Sequence, residues 1–206
     1  MEIVITPGCR YFPEFLNETS QRELLDHIQK ALREAPLFHP TMPRTGKPFS
    51  VRMSNMGQIG WVSDKEQGYR YQADHPQTKR SWPQMPQLLH ELWQELTGFA
   101  LQPEACLINY YDAEARMGLH QDADEQHLQA PIMSISLGDK AHFRLGGLKR
   151  QDPTRTLILS SGDILILEPP LRMAYHGIDR IISGSSRLLD EGGRFNLTMR
   201  RITNGQ

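Results

Sequence analysis

Two hydrophobic periods divide this chain. From Asn17 to Ala35 the apolar residues Leu24, Leu25, Ile28 and Leu32 keep a helical spacing, with Ser20 and Glu23 placed as a capping box and Pro36 as a stop. A second helix is predicted from about Pro86 to Gly98, with Leu88, Leu89, Leu92, Trp93 and Leu96 on its apolar face. From Ala105 to Ile202 the pattern changes to short β-like runs broken by Gly, Pro and Asp. These are Cys106 to Tyr111, Ile132 to Leu137, His142 to Leu145, Thr156 to Leu159, Asp163 to Leu167, Met173 to His176 and Arg194 to Arg200. The series predicts a mostly β fold with flanking helices, a double-stranded β-helix (jelly-roll) barrel with the helices packed outside one sheet. Residues 36–86 are rich in Pro, Gly and polar types and too long for a plain connection, so they read as functional loops within one domain spanning 1–206. Isolated aromatics stand in them at Trp61, Tyr69, Tyr71 and Trp82.

Composition narrows the function classes. A net charge of −1 argues against a protein that coats nucleic acid through bulk electrostatics. Only a local basic patch could serve, drawn from Lys79-Arg80, Lys149-Arg150, Arg116, Arg155 and Arg172. The two cysteines, Cys9 and Cys106, give neither a disulfide framework nor a paired-thiolate metal spacing and read as small hydrophobes in a reducing compartment. No apolar run is long enough to span a bilayer, and Met1-Glu2-Ile3-Val4-Ile5 lacks the features of a secretory signal, so a cytoplasmic monomer is expected.

The candidate chemistry centres on His120-Gln121-Asp122. Residues two apart on a strand point to one face, so His120 and Asp122 can share an ion while Gln121 turns away. His176, closing a β-like run before Gly177, is a suitable third ligand; the remaining histidines read as structural. Two imidazoles and a carboxylate leave metal positions open, as a non-haem Fe(II) oxygenase requires. In Arg194-Phe195-Asn196-Leu197-Thr198-Met199-Arg200 the polar residues share one face, and Asn109 and Tyr111 share one face of another strand. Two arginines inside a barrel call for a dicarboxylate, because guanidinium pairs with carboxylate through forked charge-assisted bonds and is costly when buried alone. Trp61, among Gly, Asn and Gln rather than in an apolar run, reads as a stacking surface.

The run from Ala105 to Arg201 resembles the AlkB family of Fe(II)- and 2-oxoglutarate-dependent nucleic-acid dealkylases. The resemblance rests on Cys106-Leu107-Ile108-Asn109-x-Tyr111, Leu119-His120-Gln121-Asp122-x-Asp124-Glu125, Gly146-Gly147-Leu148-Lys149-Arg150, Tyr175-His176-Gly177 and Arg194-x-Asn196-Leu197-Thr198-x-Arg200. Upstream, Gly60-Trp61 and Gln67-Gly68-Tyr69-x-Tyr71 resemble bacterial members, though Leu167 stands where better-known ones carry an aromatic. The resemblance implies that His120, Asp122 and His176 hold iron and act in catalysis. It places Arg194 on the distal carboxylate of 2-oxoglutarate, Arg200 near the chelating end, and Asn109, Tyr111 and Asn196 in the same cosubstrate set. It further implies a base held between Trp61 and the His120 ring, phosphate held by Tyr69 and Tyr71, a base edge read by Asp124 and Glu125, and substrate contact by Arg150. The implied reaction consumes O2 and 2-oxoglutarate and removes a methyl group from a base nitrogen in single-stranded or flipped-base DNA, with RNA as a further substrate. Competing readings are a protein, lipid or small-molecule hydroxylase with the same core, a catalytically silent barrel that binds single-stranded nucleic acid, and a zinc hydrolase.

Overall fold

The β-rich half of the chain has to bury both faces of one sheet, and it does so against helices on one side and a second sheet on the other. The computed structural model of the chain describes residues 2–205. In chain order the elements are β1 (Ile3–Thr6), β2 (Cys9–Phe12), α1 (Glu18–Glu34), β3 (Arg52–Gly57), β4 (Gly60–Asp64), β5 (Gly68–Gln72), α2 (Gln87–Thr97), β6 (Ala105–Tyr111) and β7 (Met117–His120). They continue with β8 (Ile132–Gly138), β9 (Lys140–Leu145), β10 (Arg155–Leu159), β11 (Ile164–Leu167), β12 (His176–Ile182) and β13 (Arg194–Arg200). A seven-stranded major sheet has the order β1-β2-β11-β8-β13-β6-β3, and a four-stranded minor sheet the order β10-β9-β12-β7. The two sheets share no strand pairing, so the expected closed barrel is a pair of facing sheets of jelly-roll type.

Alternation along the major sheet sorts its side chains into two cores. Cys106, Ile108, Met133, Ile135, Ile164, Ile166, Leu197 and Met199 face outward and pack with Leu24, Leu25 and Ile28 of α1 and Leu89, Leu92 and Trp93 of α2. Leu107, Tyr111, Ile132, Leu165 and Leu167 face inward against Phe143, Leu145, Ile178 and Ile181 of the minor sheet. Both cysteines are fully buried, and burial pushes their thiols up to about 12. No helix among the described residues is long and apolar enough to cross a membrane.

Several local expectations are corrected. Helix α1 is capped by Asn17, whose side chain accepts from the Ser20 amide, and not by a Ser20–Glu23 capping box. Pro86 is the N-cap of α2 rather than its first helical residue, and Gly98 closes the helix at φ 60°. Residues 36–86 are not plain loops. Strand β3 is an edge of the major sheet, and β4 and β5 form a separate hairpin. Met173 to His176 is not a strand; β12 begins at His176.

Candidate active site

Both candidate metal imidazoles sit on a cross-strand pair. His120 ends β7 and His176 begins β12, directly opposite in register, with ring centroids 4.5 Å apart. That approach depends on Gly177, where a Cβ would meet the Met117 carbonyl oxygen at 2.5 Å. Each ring is oriented by its own backbone: His120 Nδ1 lies 2.9 Å from the Gly118 carbonyl and His176 Nδ1 2.9 Å from that of Ala174. Donation from Nδ1 leaves each Nε2 with a free lone pair. Burial is the main reason that the His176 pKa falls to about 4, so the ring is a neutral donor at pH 7.

Asp122 completes the cluster from the loop beyond β7 rather than from the strand expected to carry it. Its Oδ1 lies 3.7 Å from His120 Nε2 and its Oδ2 3.8 Å from His176 Nε2. The three ligand atoms all lie within 4.8 Å of one another. Burial opposes the Asp122 charge, but Arg200 above all, donating from Nη2 at 2.8 Å, outweighs it and holds the carboxyl well below the usual range. Two imidazole nitrogens and one ionised carboxylate form a donor set that suits Fe(II).

These ligands line a cavity of about 510 Å³ between the sheets, and Asn109, Tyr111, Arg194, Asn196 and Arg200 line it too. Arg194 is 0 % exposed, yet its guanidinium donates only to neutral oxygens: the Asp139 and Leu159 carbonyls and the Ser136 hydroxyl. Its Nε and Asn109 Oδ1 are buried without a partner. A buried cation with no carboxylate in contact and a free donor is an anion site, and a 2-oxoglutarate carboxylate fits it. The two arginines are not equivalent, since Arg200 already pairs with Asp122 and lies 3.4 Å from Glu125 Oε1. Asn196 is satisfied internally, donating to Ser134 Oγ and accepting from Thr198.

The cavity mouth is built by the β4–β5 hairpin. Asp64 Oδ1 accepts from the Glu66 and Gln67 amides and turns the chain, and the resulting register sets Trp61 opposite Tyr71 and Ser63 opposite Tyr69. Asn55 of β3, fully buried, clamps the Trp61 backbone through two 3.0 Å hydrogen bonds. Gly60 is required beside it, because a Cβ there would lie 2.5 Å from Trp82. The Trp61 indole Nε1 donates to Asp124 Oδ2 at 2.7 Å, and Tyr69, half exposed, stacks on Trp61 with centroids 5.6 Å apart. Trp61, Tyr69, Asp124 and Arg150 all line the cavity.

Tyr71 and Glu125 are placed differently from the expectation. The Tyr71 hydroxyl turns inward to Glu125 Oε1 at 2.5 Å, and Glu125 Oε2 accepts from Arg172 at 3.1 Å. Glu125 still lines the cavity, whereas Tyr71 does not. Arg172, which the sequence offers as a basic-patch candidate, is 2 % exposed and also donates to the carbonyls of Asp122 and Ala130. It fixes the ligand-bearing loop, as Asn55 fixes Trp61. The sequence marked Asn55 only as part of the Met53-x-Asn55-x-Gly57 resemblance and Arg172 only as a basic-patch candidate, and neither structural role was readable from it.

A family model, the 2OG-Fe(II) oxygenase superfamily, matches residues 8–200. The Caulobacter vibrioides protein named alpha-ketoglutarate-dependent dioxygenase AlkB homolog is 48 % identical over 97 % of this chain and 90 % of its own. The chain belongs to the AlkB family. As a member it is an Fe(II)- and 2-oxoglutarate-dependent dioxygenase that uses O2. The Escherichia coli AlkB dioxygenase is 42 % identical over 87 % of this chain and 83 % of its own. A more distant AlkB-type relative, the Arabidopsis thaliana protein named DNA N(6)-methyladenine demethylase ALKBH1D, is 29 % identical over 97 % of the chain, which spans 50 % of that relative. Among solved structures, that of OsALKBH1 superposes with a TM-score of 0.83 at 27 % identity, covering 98 % of this chain and 100 % of the other.

Proposed function

We propose that this enzyme demethylates ring nitrogens of bases, of the 1-methyladenine and 3-methylcytosine type, in single-stranded or flipped-base DNA, with RNA as a second polymer. The observation that carries the reading is Trp61, fixed at both backbone and indole and standing on the wall of the cavity that holds the metal ligands. A pre-positioned aromatic of this kind offers a base a stacking face worth roughly 1–3 kcal/mol. The Arabidopsis thaliana relative named DNA N(6)-methyladenine demethylase supports methylated DNA as the polymer class, although its named methyl lies on an exocyclic rather than a ring nitrogen.

In this reading His120, Asp122 and His176 hold Fe(II), which with 2-oxoglutarate and O2 supplies the oxidising chemistry. Arg194 anchors one cosubstrate carboxylate, Asn109 and Tyr111 line its path with Asn196, and Arg200 holds Asp122 in its ligating orientation. Trp61 and the His120 ring bracket the base, Asp124 keeps Oδ1 for an exocyclic amine while Oδ2 holds Trp61, and Tyr69 and Arg150 face the strand. Residues 36–86 act as the substrate-binding segment of one domain, and a single chain supplies every group. The overall reaction converts N-methyl base, 2-oxoglutarate and O2 to free base, formaldehyde, succinate and CO2. Succinate and formaldehyde are measured with methylated single-stranded DNA, methylated RNA and a methyl-lysine peptide. Stoichiometric release with oligonucleotide and none with peptide is expected; release with peptide alone overturns the reading.

A further inference from the structure

Strand β9 turns alternate residues to opposite sides of the minor sheet. Ala141, Phe143 and Leu145 are buried and face inward, with Phe143 lining the cavity, so Lys140, His142 and Arg144 stand in a column on the outside. The neighbouring strand adds Arg180, whose Register partner is His142 and whose Nη2 donates to His142 Nε2 at 3.4 Å. Arg144 is braced by two hydrogen bonds to Thr154 Oγ1. Among the described residues Lys140, Arg144 and Arg180 make no ion pair, and Asp179 at the β12 bulge is the one carboxylate on the four strands of this sheet. In a chain of net charge −1 this is a concentration of positive charge, with exposed Asp179 as the one strand carboxylate beside it.

The column is continuous with the mouth of the active site. From Leu145 the chain runs straight into Gly146 and Gly147, which pair with Tyr175 through backbone hydrogen bonds, and then to Arg150. Arg150 lies over the Tyr175 ring at 5.8 Å, donates to the Leu119 carbonyl and lines the cavity. We propose that the outer face of the minor sheet binds the sugar-phosphate backbone of the nucleic-acid strand beyond the base held in the cavity, through Lys140, Arg144 and Arg180. The inference rests on the nucleic-acid reading and adds to it a second binding surface outside the catalytic cavity. Lys140 and Arg144 stand four residues apart on β9, about 13 Å, with Arg180 level with His142 between them on the next strand, and flexible cations so placed can follow a chain of phosphates without reading its sequence.

The test compares a methylated trinucleotide, which fills the cavity alone, with a methylated 20-mer, using wild-type enzyme and the triple variant Lys140→Gln/Arg144→Gln/Arg180→Gln. Wild type is expected to have a lower KM for the 20-mer, and the variant to lose that gain while keeping kcat and trinucleotide turnover, which also reports that it folds. Losing three phosphate contacts should reduce the slope of log affinity against log salt by about 2. An unchanged 20-mer KM and salt slope in the variant overturns the proposal, as does a wild type that gains nothing from length. If the variant instead loses binding to vesicles containing anionic lipid while keeping the 20-mer gain, the face serves a membrane and the proposal is wrong. Should wild type turn over neither oligonucleotide, the substrate reading itself falls.

Discussion

Arg194 and Trp61 show how single residues carry the site. A fully buried guanidinium bonded only to neutral oxygens is stable where an anion completes it, and burial already lowers its pKa to about 10. Arg194→Ala should therefore raise the KM for 2-oxoglutarate roughly ten- to hundredfold, matching about 1.5–3 kcal/mol for a charged hydrogen bond. Iron affinity, measured by titration, should hardly change; an unaltered 2-oxoglutarate dependence would remove Arg194 from the cosubstrate site. For Trp61→Ala, productive binding of methylated oligonucleotide should weaken by about tenfold to a hundredfold on stacking energy. Slow conversion of 2-oxoglutarate to succinate without substrate should persist, since the triad and Arg194 are untouched. Equal loss of both reactions, with Trp61→Phe failing to restore either, would make Trp61 a purely structural residue. Residue types at the right spacing were legible for the triad and for Arg194. Partners were not: Tyr71 and Glu125 have the same chemistry whether they face solvent or each other, and the fold turned them inward.

At the scale of elements, the helices were legible because their apolar stripes keep a 3.6 period against the major sheet. Their ends were less so, since capping depends on backbone dihedrals. Asn17 is extended, at φ −68° and ψ 170°, and its side chain accepts from Ser20. Asn17→Ala should cost about 1 kcal/mol and Asn17→Gly only a few tenths, read from denaturant midpoints. Equal midpoints for both variants and wild type would show that the cap contributes nothing. Strand β3 escaped notice because four of its residues are buried in succession, polar Ser54 and Asn55 among them, so no alternation marks it. The bulge at Asp179 likewise broke the period of β12 and made its start look like its end.

Across the whole molecule, Glu104 joins the segment before β6 to the chain after β13, accepting from the Ile202 and Thr203 amides and the Thr203 hydroxyl and pairing with Arg201. Burial alone would raise its pKa, but these hydrogen bonds and Arg201 outweigh it and leave the carboxyl below its ordinary value. The unfolded chain thus binds the proton more readily, so this stabilisation is complete above the ordinary glutamate pKa and is lost as pH falls through the depressed folded value. Glu104→Gln should lower the melting temperature at neutral pH, by the equivalent of about 1.5–3 kcal/mol, and flatten its decline in acid. A parallel decline in variant and wild type would assign the acid sensitivity elsewhere. By itself the sequence determined the mostly β class, the two helices, the inward polar face of β13 and the residue types able to bind a metal and an anion, because each follows from short-range period or intrinsic chemistry. Only the tertiary structure decided that two sheets face each other without closing, that His120 meets His176 across a strand pair, and that Arg200 pairs with Asp122 while Arg194 meets no carboxylate. Those outcomes depend on which strands become neighbours and which charges share one interior, and such long-range pairings leave no local period to read.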